Sequence, residues 1–491
     1  MDERGWEFLT SFQEFMDDAV AHVRQLQQGG RQISEVLREH LGVDPTELPV
    51  VRFDIQPHQF VNLDVAMEAI VTEHGGGRVV GVGGGDQRHH QTFGDMLLGG
   101  GARVWGRLPV GPVDRIRLNT GPATHRDGVA YGVHLFRYGD VPVAVLQRNS
   151  NPRYGNRGGV EAVAANGSRE VTDALLSDVR RLMVERSVFR GRLLSFGEVE
   201  EAYGSTVGGV TFLERPTLTA ADVVLPEGSL ERVERHVAGT ARRRDVLRAA
   251  GQHLKRGLLL YGPPGTGKTH TVRYLISRMP GVTVVVLAGN ALAFVAEATE
   301  LAHALEPSVV VMEDVDLIAE HRESRLGPQP LLFTLLDAMD GLTGEADVAF
   351  LLTTNRADLL EAALAQRPGR VDLAVEIPLP DVAARQRLVG LYARDLHFSA
   401  EALGATAEGT AGATASLFKE LFRRAVLVAA ERDAEPDDDA LREALAELLG
   451  DGERLTRALL GHADEDGGSA PPGPAGPPGP LGPARLRGGR P

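Results

Sequence analysis

Residues 262–269 read GPPGTGKT, and this stretch decides the fold of the chain around it. It matches the phosphate-binding loop pattern G-x-x-x-x-G-K-[ST]. The apolar run GLLLY at 257–261 leads into it, and the helix-compatible HTVRYLISRM at 270–279 follows. The motif therefore has the strand–loop–helix context that it needs. The predicted phosphate-binding residues are Gly262, Pro263, Pro264, Gly265, Thr266, Gly267, Lys268 and Thr269.

The chemistry expected of this loop is the binding of ATP and Mg²⁺. Glycines let backbone N–H groups approach phosphate oxygens, and the new helix presents its positive end to the same anion. Lys268 is expected to reach the β- and γ-phosphates, and the Thr269 hydroxyl to hold Mg²⁺. The chain has 52 basic residues, yet only Lys255, Lys268 and Lys419 are lysines. A lysine in the loop indicates a site that requires a compact ammonium group.

Two further apolar runs deliver polar residues to their ends. SVVVM at 308–312 ends in Glu313 and Asp314, and VAFLLTT at 348–354 ends in Asn355. Strands of a parallel sheet buried on both faces give such unbroken apolar runs, and their carboxyl ends form the ligand crevice. We expect these polar side chains to converge on the phosphate-loop lysine.

The division of labour between the acids has two interpretations. By strand position, Glu313 holds Mg²⁺, together with Thr269, and Asp314 polarises the attacking water. In the competing register, Asp314 is the Mg²⁺ carboxylate and Asp316 is the base.

Composition limits the possible classes of protein. A length of 491 residues suggests two to four domains, and the absence of cysteine excludes disulfides and thiolate metal sites. The net charge of −15 argues against a standing nucleic-acid partner. The acidic start MDERGWEFLT does not resemble a secretory signal, and no run approaches the ~18 apolar residues of a membrane span. We expect a cytoplasmic protein without a membrane partner.

Patterning along the chain predicts an α+β N-terminal domain before the nucleotide-binding core. Its clearest element is a hairpin over 129–149 with its turn at Tyr138, Gly139 and Asp140. The tail from Ser469 is too rich in proline and glycine to form a core. The predicted divisions are an N-terminal domain (1–200), a linker with the start of the core module (201–250), a large α/β subdomain (251–380), a helical lid (381–462) and a disordered tail (463–491).

The stretch from about 215 to 450 resembles an AAA ATPase module of the AAA+ superfamily. The resemblance rests on the phosphate loop, MEDVD at 312–316, LLFTLLDAMDGL at 331–342 and TTNRADLLEAALAQRPGRVD at 353–372. It implies an α/β fold with a parallel-sheet P-loop NTPase core and a C-terminal helical lid.

The same resemblance implies roles for individual residues. Asn355 corresponds to the sensor that orients the attacking water. Arg367 and Arg370 correspond to arginine fingers, which reach the γ-phosphate of a neighbouring subunit. Gly412 and Ala413, within TAGAT at 410–414, lie where the lid carries its nucleotide-binding sensor-two turn. These roles imply self-association, with a hexamer as the family expectation.

Two departures from the family bear on function. The acids come as Glu-Asp instead of the usual Asp-Glu, and the segment between the phosphate loop and the acids is short. Phe294 and Val295 are either the remnant of an aromatic pore loop or part of the core. We expect ATP hydrolysis that drives chaperone-like remodelling of a protein partner in a ring. The alternative is a slow-turnover nucleotide-dependent switch or scaffold. The acidic balance disfavours a DNA motor.

Overall fold

The structure is a computed structural model, which describes residues 30–84, 91–97, 108–150, 157–200, 206–316, 337–341, 345–358 and 370–450, together with Phe12, Gln13 and Phe15. The predicted arginine finger Arg367 and the predicted tail 463–491 lie outside these residues.

The first sheet has seven antiparallel strands in the order β1-β7-β6-β5-β2-β3, with β4 paired to β5. The predicted hairpin is confirmed as β5 and β6, and Gly139 adopts a φ of 58° at its turn. The strands are β1 (Val51–Asp54), β2 (Gly77–Val82), β3 (Val110–Gly111), β4 (Asp114–Asn119), β5 (His125–Tyr138), β6 (Val141–Arg148) and β7 (Gly159–Ala164).

Helices cover both faces of this sheet. Apolar side chains of α2 and α4 pack with one face, and those of α1 and α3 pack with the other. The Ser168 hydroxyl caps α4 by accepting from the N–H of Val171. The helices are α1 (Ile33–Leu41), α2 (Phe60–Glu73), α3 (Phe93–Leu97) and α4 (Arg169–Glu185).

The second sheet contains the phosphate loop and has seven strands in the order β14-β10-β13-β12-β11-β8-β9. All neighbours are parallel except β8 and β9. This sheet confirms the predicted α/β fold class. Its strands are β8 (Leu193–Glu200), β9 (Thr206–Leu213), β10 (Arg256–Tyr261), β11 (Thr283–Ala288), β12 (Ser308–Glu313), β13 (Val348–Thr354) and β14 (Leu373–Glu376).

Two apolar clusters lie on the faces of the second sheet. One includes the buried side chains of α9, and the other includes those of α5 and α8. Short 3₁₀ segments span Ala220–Asp222 and Gly289–Phe294, and a π-helical turn spans Arg235–Gly239. The helices are α5 (Ser229–Glu234), α6 (Thr240–Arg242), α7 (Arg244–Ala249), α8 (Lys268–Ser277) and α9 (Val295–Ala304).

Strands β8 and β9 lie on either side of the boundary predicted at residue 200. The predicted N-terminal domain (1–200) includes β8, whereas β8 pairs in parallel with β11 of the second sheet. The reason is packing: Phe189, Leu194 and Phe196 are buried in the same cluster as Leu292. The predicted domain limits stay predictions, but the described part of 201–250 includes a strand of the sheet as well as connecting chain.

Among the described residues, 264–266 and 379–450 form a second compact unit, which is helical after residue 381. Asp381, Ser399 and Asp437 cap three of its helices through side-chain bonds to backbone N–H groups. Its helices are α10 (Val382–Ala393), α11 (Ala400–Gly409), α12 (Ala415–Ala430) and α13 (Asp438–Leu449).

Candidate nucleotide-binding site

The phosphate loop connects the end of β10 to the start of α8. Gly262, Gly265 and Gly267 have φ angles of 145°, 77° and 107°, a region that glycine adopts without steric cost. A Cβ on Gly262 would lie 2.2 Å from the carbonyl oxygen of Ile377, so only glycine fits there. The loop therefore needs its glycines for backbone geometry as well as for close approach of a phosphate.

Lys268 is buried at the first position of α8. Its Nζ donates to the carbonyl oxygens of Gly262 at 2.8 Å and Pro263 at 2.7 Å. Burial lowers the pKa of Lys268, while the charges of Asp314 and Asp316 act in the opposite direction. The lysine and the acids are thus close enough to interact, as the strand ends predicted.

Glu313 is the last residue of β12 and lies beside the first turn of α8. The Thr269 side chain lies close enough to this carboxylate to influence its pKa. Burial raises the pKa of Glu313, and the neighbouring charge of Asp314 adds to this, while Arg273 and Thr269 oppose it. Two oxygen-bearing side chains, one from the loop helix and one from a strand end, therefore lie close together.

Asp314 leaves the strand in an unusual backbone conformation. Its φ is 51°, a left-handed value that is uncommon outside glycine but tolerated by aspartate. Its N–H donates to Thr353 Oγ1 at 3.0 Å, and its Oδ1 accepts from Asn355 Nδ2 at 3.3 Å. The predicted acid and the predicted sensor are therefore in direct contact.

Asp316, the base in the competing register, has a different environment. It is only 6% exposed. Its Oδ1 accepts from the Thr354 hydroxyl at 2.8 Å and from the N–H of Asn355 at 3.1 Å. This carboxylate is engaged with the end of β13, whereas Asp314 carries the contact with the Asn355 side chain.

Of the two predicted arginine fingers, the structure describes Arg370. Its guanidinium pairs with the carboxylate of Asp340, and 12% of the arginine side chain is exposed. Asp340 is a partner that sequence reasoning missed, although it lies within the quoted family stretch 331–342.

Gly412 and Ala413 lie in the second compact unit. Gly412 has a φ of 77° and Ala413 is fully buried, with its N–H donating to the carbonyl of Thr410 at 3.2 Å. In the same unit, the N–H and the hydroxyl of Ser416 donate to the Gly265 carbonyl at 3.2 Å and 3.3 Å. Sequence reasoning did not single out Ser416.

Val295 is buried in the apolar core, and Phe294 is partly buried against that core. The Phe294 ring lies 5.7 Å from the ring of Phe196, and Val295 is buried in the same cluster. Of the two interpretations left open by the sequence, the structure supports the core position.

The residues present fit a nucleotide with Mg²⁺. The helix start and buried ammonium suit phosphates, and the Thr269–Glu313 pair supplies the few protein oxygens that Mg²⁺ uses beside phosphates. Among the described residues, no group of three or more His, Asp or Glu side chains is placed to hold a metal by itself. Within that same part of the chain, no helix is long and apolar enough to cross a membrane.

Together, a phosphate loop on a parallel sheet and polar residues at the neighbouring strand ends define a P-loop NTPase. The sequence model of the family described as "ATPase family associated with various cellular activities (AAA)" matches residues 258–379. The chain is 30% identical over 271 residues to the proteasome-activating nucleotidase of Pyrococcus horikoshii, covering 52% of this chain and 68% of that protein. The chain belongs to the AAA ATPase family.

Two other relatives extend the comparison. The proteasome-activating nucleotidase of Methanospirillum hungatei is 34% identical over 210 residues, which are 40% of this chain and 51% of the relative. The ATP-dependent zinc metalloprotease FtsH 4 of Sphaerobacter thermophilus is 28% identical over 398 residues, which are 77% of this chain and 58% of the relative. The zinc helix of such proteases reads H-E-x-x-H, and none of the 15 histidines of this chain is followed by glutamate.

Proposed function

We propose that this AAA protein hydrolyses ATP and uses the reaction to remodel a protein partner in an oligomeric ring. The observation that carries the ATPase proposal is the contact between Asn355 and Asp314 at the strand ends, beside Lys268 and the Thr269–Glu313 pair. These groups have the types and positions that phosphoryl transfer needs, because it depends mainly on positioning and charge stabilisation.

Each residue of the site has a proposed role. The backbone of residues 262–269 binds the phosphates, and Lys268 exchanges its two carbonyl partners for β- and γ-phosphate oxygens. Thr269 and Glu313 hold Mg²⁺, which when bound neutralises charge on the phosphates. Asp314 accepts a hydrogen bond from the attacking water, and Asn355 orients that water.

The environment of Asp316 favours Asp314 as the base over the competing register, in which Asp316 is the base. Asp316 is buried against β13, and its Oδ1 already accepts two hydrogen bonds. Asp314 is one methylene shorter than a glutamate base. A base must come within about 2.6–3.2 Å of the water or act through a second water, so we expect modest turnover.

The remaining predicted residues act at the edges of the site. Arg367 and Arg370 are proposed to reach the nucleotide of a neighbouring subunit. The active site is then composite and forms only on assembly, for which the family leads us to expect a hexamer. Gly412 and Ala413 are proposed to contact the nucleotide from the C-terminal helical unit.

The position of Phe294 bears on whether this segment could act as a pore loop in remodelling. A pore loop that grips an extended polypeptide needs an exposed aromatic side chain, whereas Phe294 packs against Phe196. The proposal therefore assigns no gripping role to this segment. The packing of Phe294, together with an aspartate in place of a longer glutamate as the base, favours a second candidate function. In that function the protein is a nucleotide-dependent switch or scaffold that turns ATP over slowly.

Steady-state hydrolysis by the full chain tests the proposal. We expect phosphate release that depends on Mg²⁺ and rises steeply with protein concentration, because composite sites form only on assembly. Light scattering with a slowly hydrolysed ATP analogue should show an oligomer over the same concentrations. Tight ATP binding without turnover in the assembled state would favour the switch, and absence of ATP binding would contradict both candidates.

A further inference from the structure

Besides the contact between Asn355 and Asp314, four hydrogen bonds join the chain after β12 to the end of β13. The N–H groups of Asp314 and Val315 donate to the hydroxyl and the carbonyl of Thr353, each at 3.0 Å. The Asp316 carboxylate accepts from the Thr354 hydroxyl at 2.8 Å and from the N–H of Asn355 at 3.1 Å. The strand ends that carry the proposed base and the proposed sensor are thus held in one register.

We propose that Asp316 is a positioning residue, which fixes the backbone of Asn355 so that its side-chain amide meets Asp314. Asp316 then sets the rate of ATP hydrolysis through Asn355. The inference rests on the proposed ATPase function, because it names a residue on which that site depends.

Burial makes this carboxylate an effective clamp. Asp316 is 6% exposed and the Thr354 side chain is fully buried, so little water can replace their hydrogen bond. Hydrogen bonds to a charged acceptor are about twice as strong as neutral ones. Removing the acceptor leaves a buried hydroxyl and a backbone N–H unsatisfied, which costs their desolvation.

The consequence for catalysis follows from distance. The Asn355 side chain reaches Asp314 Oδ1 at 3.3 Å, near the upper limit of a hydrogen bond. A backbone shift at Asn355 of a few tenths of an ångström breaks this contact. Misplacement by about 1 Å can cost about 10²-fold in rate even where binding is preserved.

Charge offers a different explanation, which the experiment must separate. The Asp316 carboxylate also interacts with Lys268, so its loss could act on nucleotide binding. Asp316→Asn removes the charge but keeps an acceptor oxygen, whereas Asp316→Ala removes both. A clamp predicts that only the alanine variant is slow; a charge effect predicts that both are impaired and that ATP affinity changes.

Kinetics of the full chain test the clamp. For Asp316→Ala we expect kcat to fall at least about 10-fold with ATP affinity within about 3-fold of wild type, while Asp316→Asn keeps kcat within about 3-fold. In Asp316→Ala with Asn355→Ala, kcat should equal that of Asn355→Ala alone, because coupled residues are not additive.

Asp347 provides the matched control. It is a buried carboxylate just before β13, at the opposite end of the strand, where it pairs with Arg256 at 2.9 Å. The fold-decrease in kcat caused by Asp347→Ala should multiply with the fold-decrease caused by Asn355→Ala. Asp347→Asn replaces Asp347→Ala if the alanine variant does not fold. If the losses from Asp316→Ala and Asn355→Ala also multiply, or if Asp316→Asn is as slow as Asp316→Ala, the positioning role is wrong.

Two further measurements keep the test decisive. Thr354→Val removes one donor and keeps the shape, so it should lower kcat at least about 3-fold; unchanged kcat contradicts the clamp even if Asp316→Ala does not fold. Amide hydrogen exchange at Asn355 should be at least 10-fold faster in Asp316→Ala, or in Thr354→Val, than in wild type, with β10 unchanged. If the wild type does not hydrolyse ATP, the proposed function fails, and the exchange rates alone decide whether Asp316 holds Asn355.

Discussion

The side-chain amide of Asn355 donates to Oδ1 of Asp314 at 3.3 Å, which links the ends of two neighbouring parallel strands. Asp314 reaches this position by a left-handed turn directly after β12, with a φ of 51°. Strained backbone of this kind persists where the surroundings hold it, and it is frequent at functional sites. Because Asp314 contacts Asn355 whereas Glu313 lies beside Thr269, we expect different effects from substituting the two acids.

The first prediction concerns the two acids. Asp314→Asn should keep ATP binding, reduce hydrolysis at least about 100-fold and accumulate ATP-bound oligomers, because an amide cannot take a proton from the water. Glu313→Gln should instead raise the Mg²⁺ concentration needed for half-maximal rate. Titration of Mg²⁺ against ATPase rate in each variant checks both. If Asp316→Asn traps ATP while Asp314→Asn loses the Mg²⁺ response, the competing register is correct.

The second prediction concerns Lys268. Lys268→Ala should weaken ATP binding at least about 100-fold, because it removes the one loop cation that reaches two phosphates. Lys268→Arg should also be severely impaired, since the planar guanidinium cannot replace a compact ammonium at the β- and γ-phosphate oxygens, which Lys268 is proposed to bind in place of the carbonyls of Gly262 and Pro263. Equilibrium binding of a fluorescent ATP analogue measures both. Lys419→Ala, on the exposed side of α12, is the matched control and should bind normally.

The third prediction concerns the proposed fingers. Arg367→Ala and Arg370→Ala should bind ATP but hydrolyse it about 10³-fold more slowly, as expected for loss of an arginine finger. Mixing Arg370→Ala chains with Lys268→Ala chains should restore part of the activity, because some interfaces then join an intact loop to an intact arginine. Asp340→Asn, which weakens the ion pair with Arg370, should change the rate without changing ATP affinity. Full activity of an isolated monomer would rule out the composite site.

The nucleotide-binding core was predictable because its strands are unusual in sequence. Strand β13 is buried at every position, and such an apolar run followed by Asn355 has few alternatives to a central parallel strand. The phosphate loop carries its own geometric requirement for glycine at Gly262. For these elements the local pattern and the tertiary position agree.

Other parts depend on contacts between distant segments and were not predictable. Strand β8 reads LLSFGEVE, and nothing in its sequence specifies β11 as its partner. Asp316 looks like one more acid in MEDVD; the role proposed for it follows from its hydrogen bond with Thr354, 38 residues later. Phe294 could be a pore residue or core until Phe196 is placed beside it.

The fourth prediction is a pH dependence of stability in the first sheet. His134 is buried, and burial lowers its pKa to about 4, with hydrogen bonding to Gln147 and the charge of Asp64 opposing the shift. An unfolded histidine titrates near 6.5, so the unfolded state gains a proton first as the pH falls. As far as it depends on His134, the free energy of unfolding is therefore highest above pH 6.5 and falls progressively towards pH 4. The decrease amounts to about 2 kcal/mol at pH 5.

Urea unfolding of wild type and His134→Gln at pH 7.5 and pH 5 tests this. The glutamine variant should lose about 2 kcal/mol less than wild type between the two pH values. The exposed His125→Gln should behave as wild type. Equal losses in all three proteins would mean that His134 is not the titrating group.

The last prediction concerns Arg215, which holds the far end of the phosphate-loop helix. Its guanidinium donates to the carbonyls of Ile276 and Met279, at and just beyond the end of α8, at 2.8 Å and 3.1 Å. It also donates to those of Gly191 and Val282 at 3.3 Å and 2.7 Å. A cation at a helix C-terminus is favourable, and the carbonyls of Ile276 and Met279 otherwise accept long hydrogen bonds, from the N–H groups of Met279 and Val282 at 3.3 Å each. Arg215→Ala should therefore destabilise the protein by about 2 kcal/mol, and Arg215→Lys should recover only part, because an ammonium has three donors in place of five.

Thermal unfolding with and without ATP separates this effect from nucleotide binding. Arg215→Ala should lower the melting temperature in both conditions, whereas exposed Arg243→Ala should not. Because Arg215 contacts the end of α8 opposite Lys268, ATP affinity should be unchanged, and the increase in melting temperature caused by ATP should be the same as in wild type. A smaller increase in Arg215→Ala than in wild type would show that the far end of the helix is coupled to the phosphate loop.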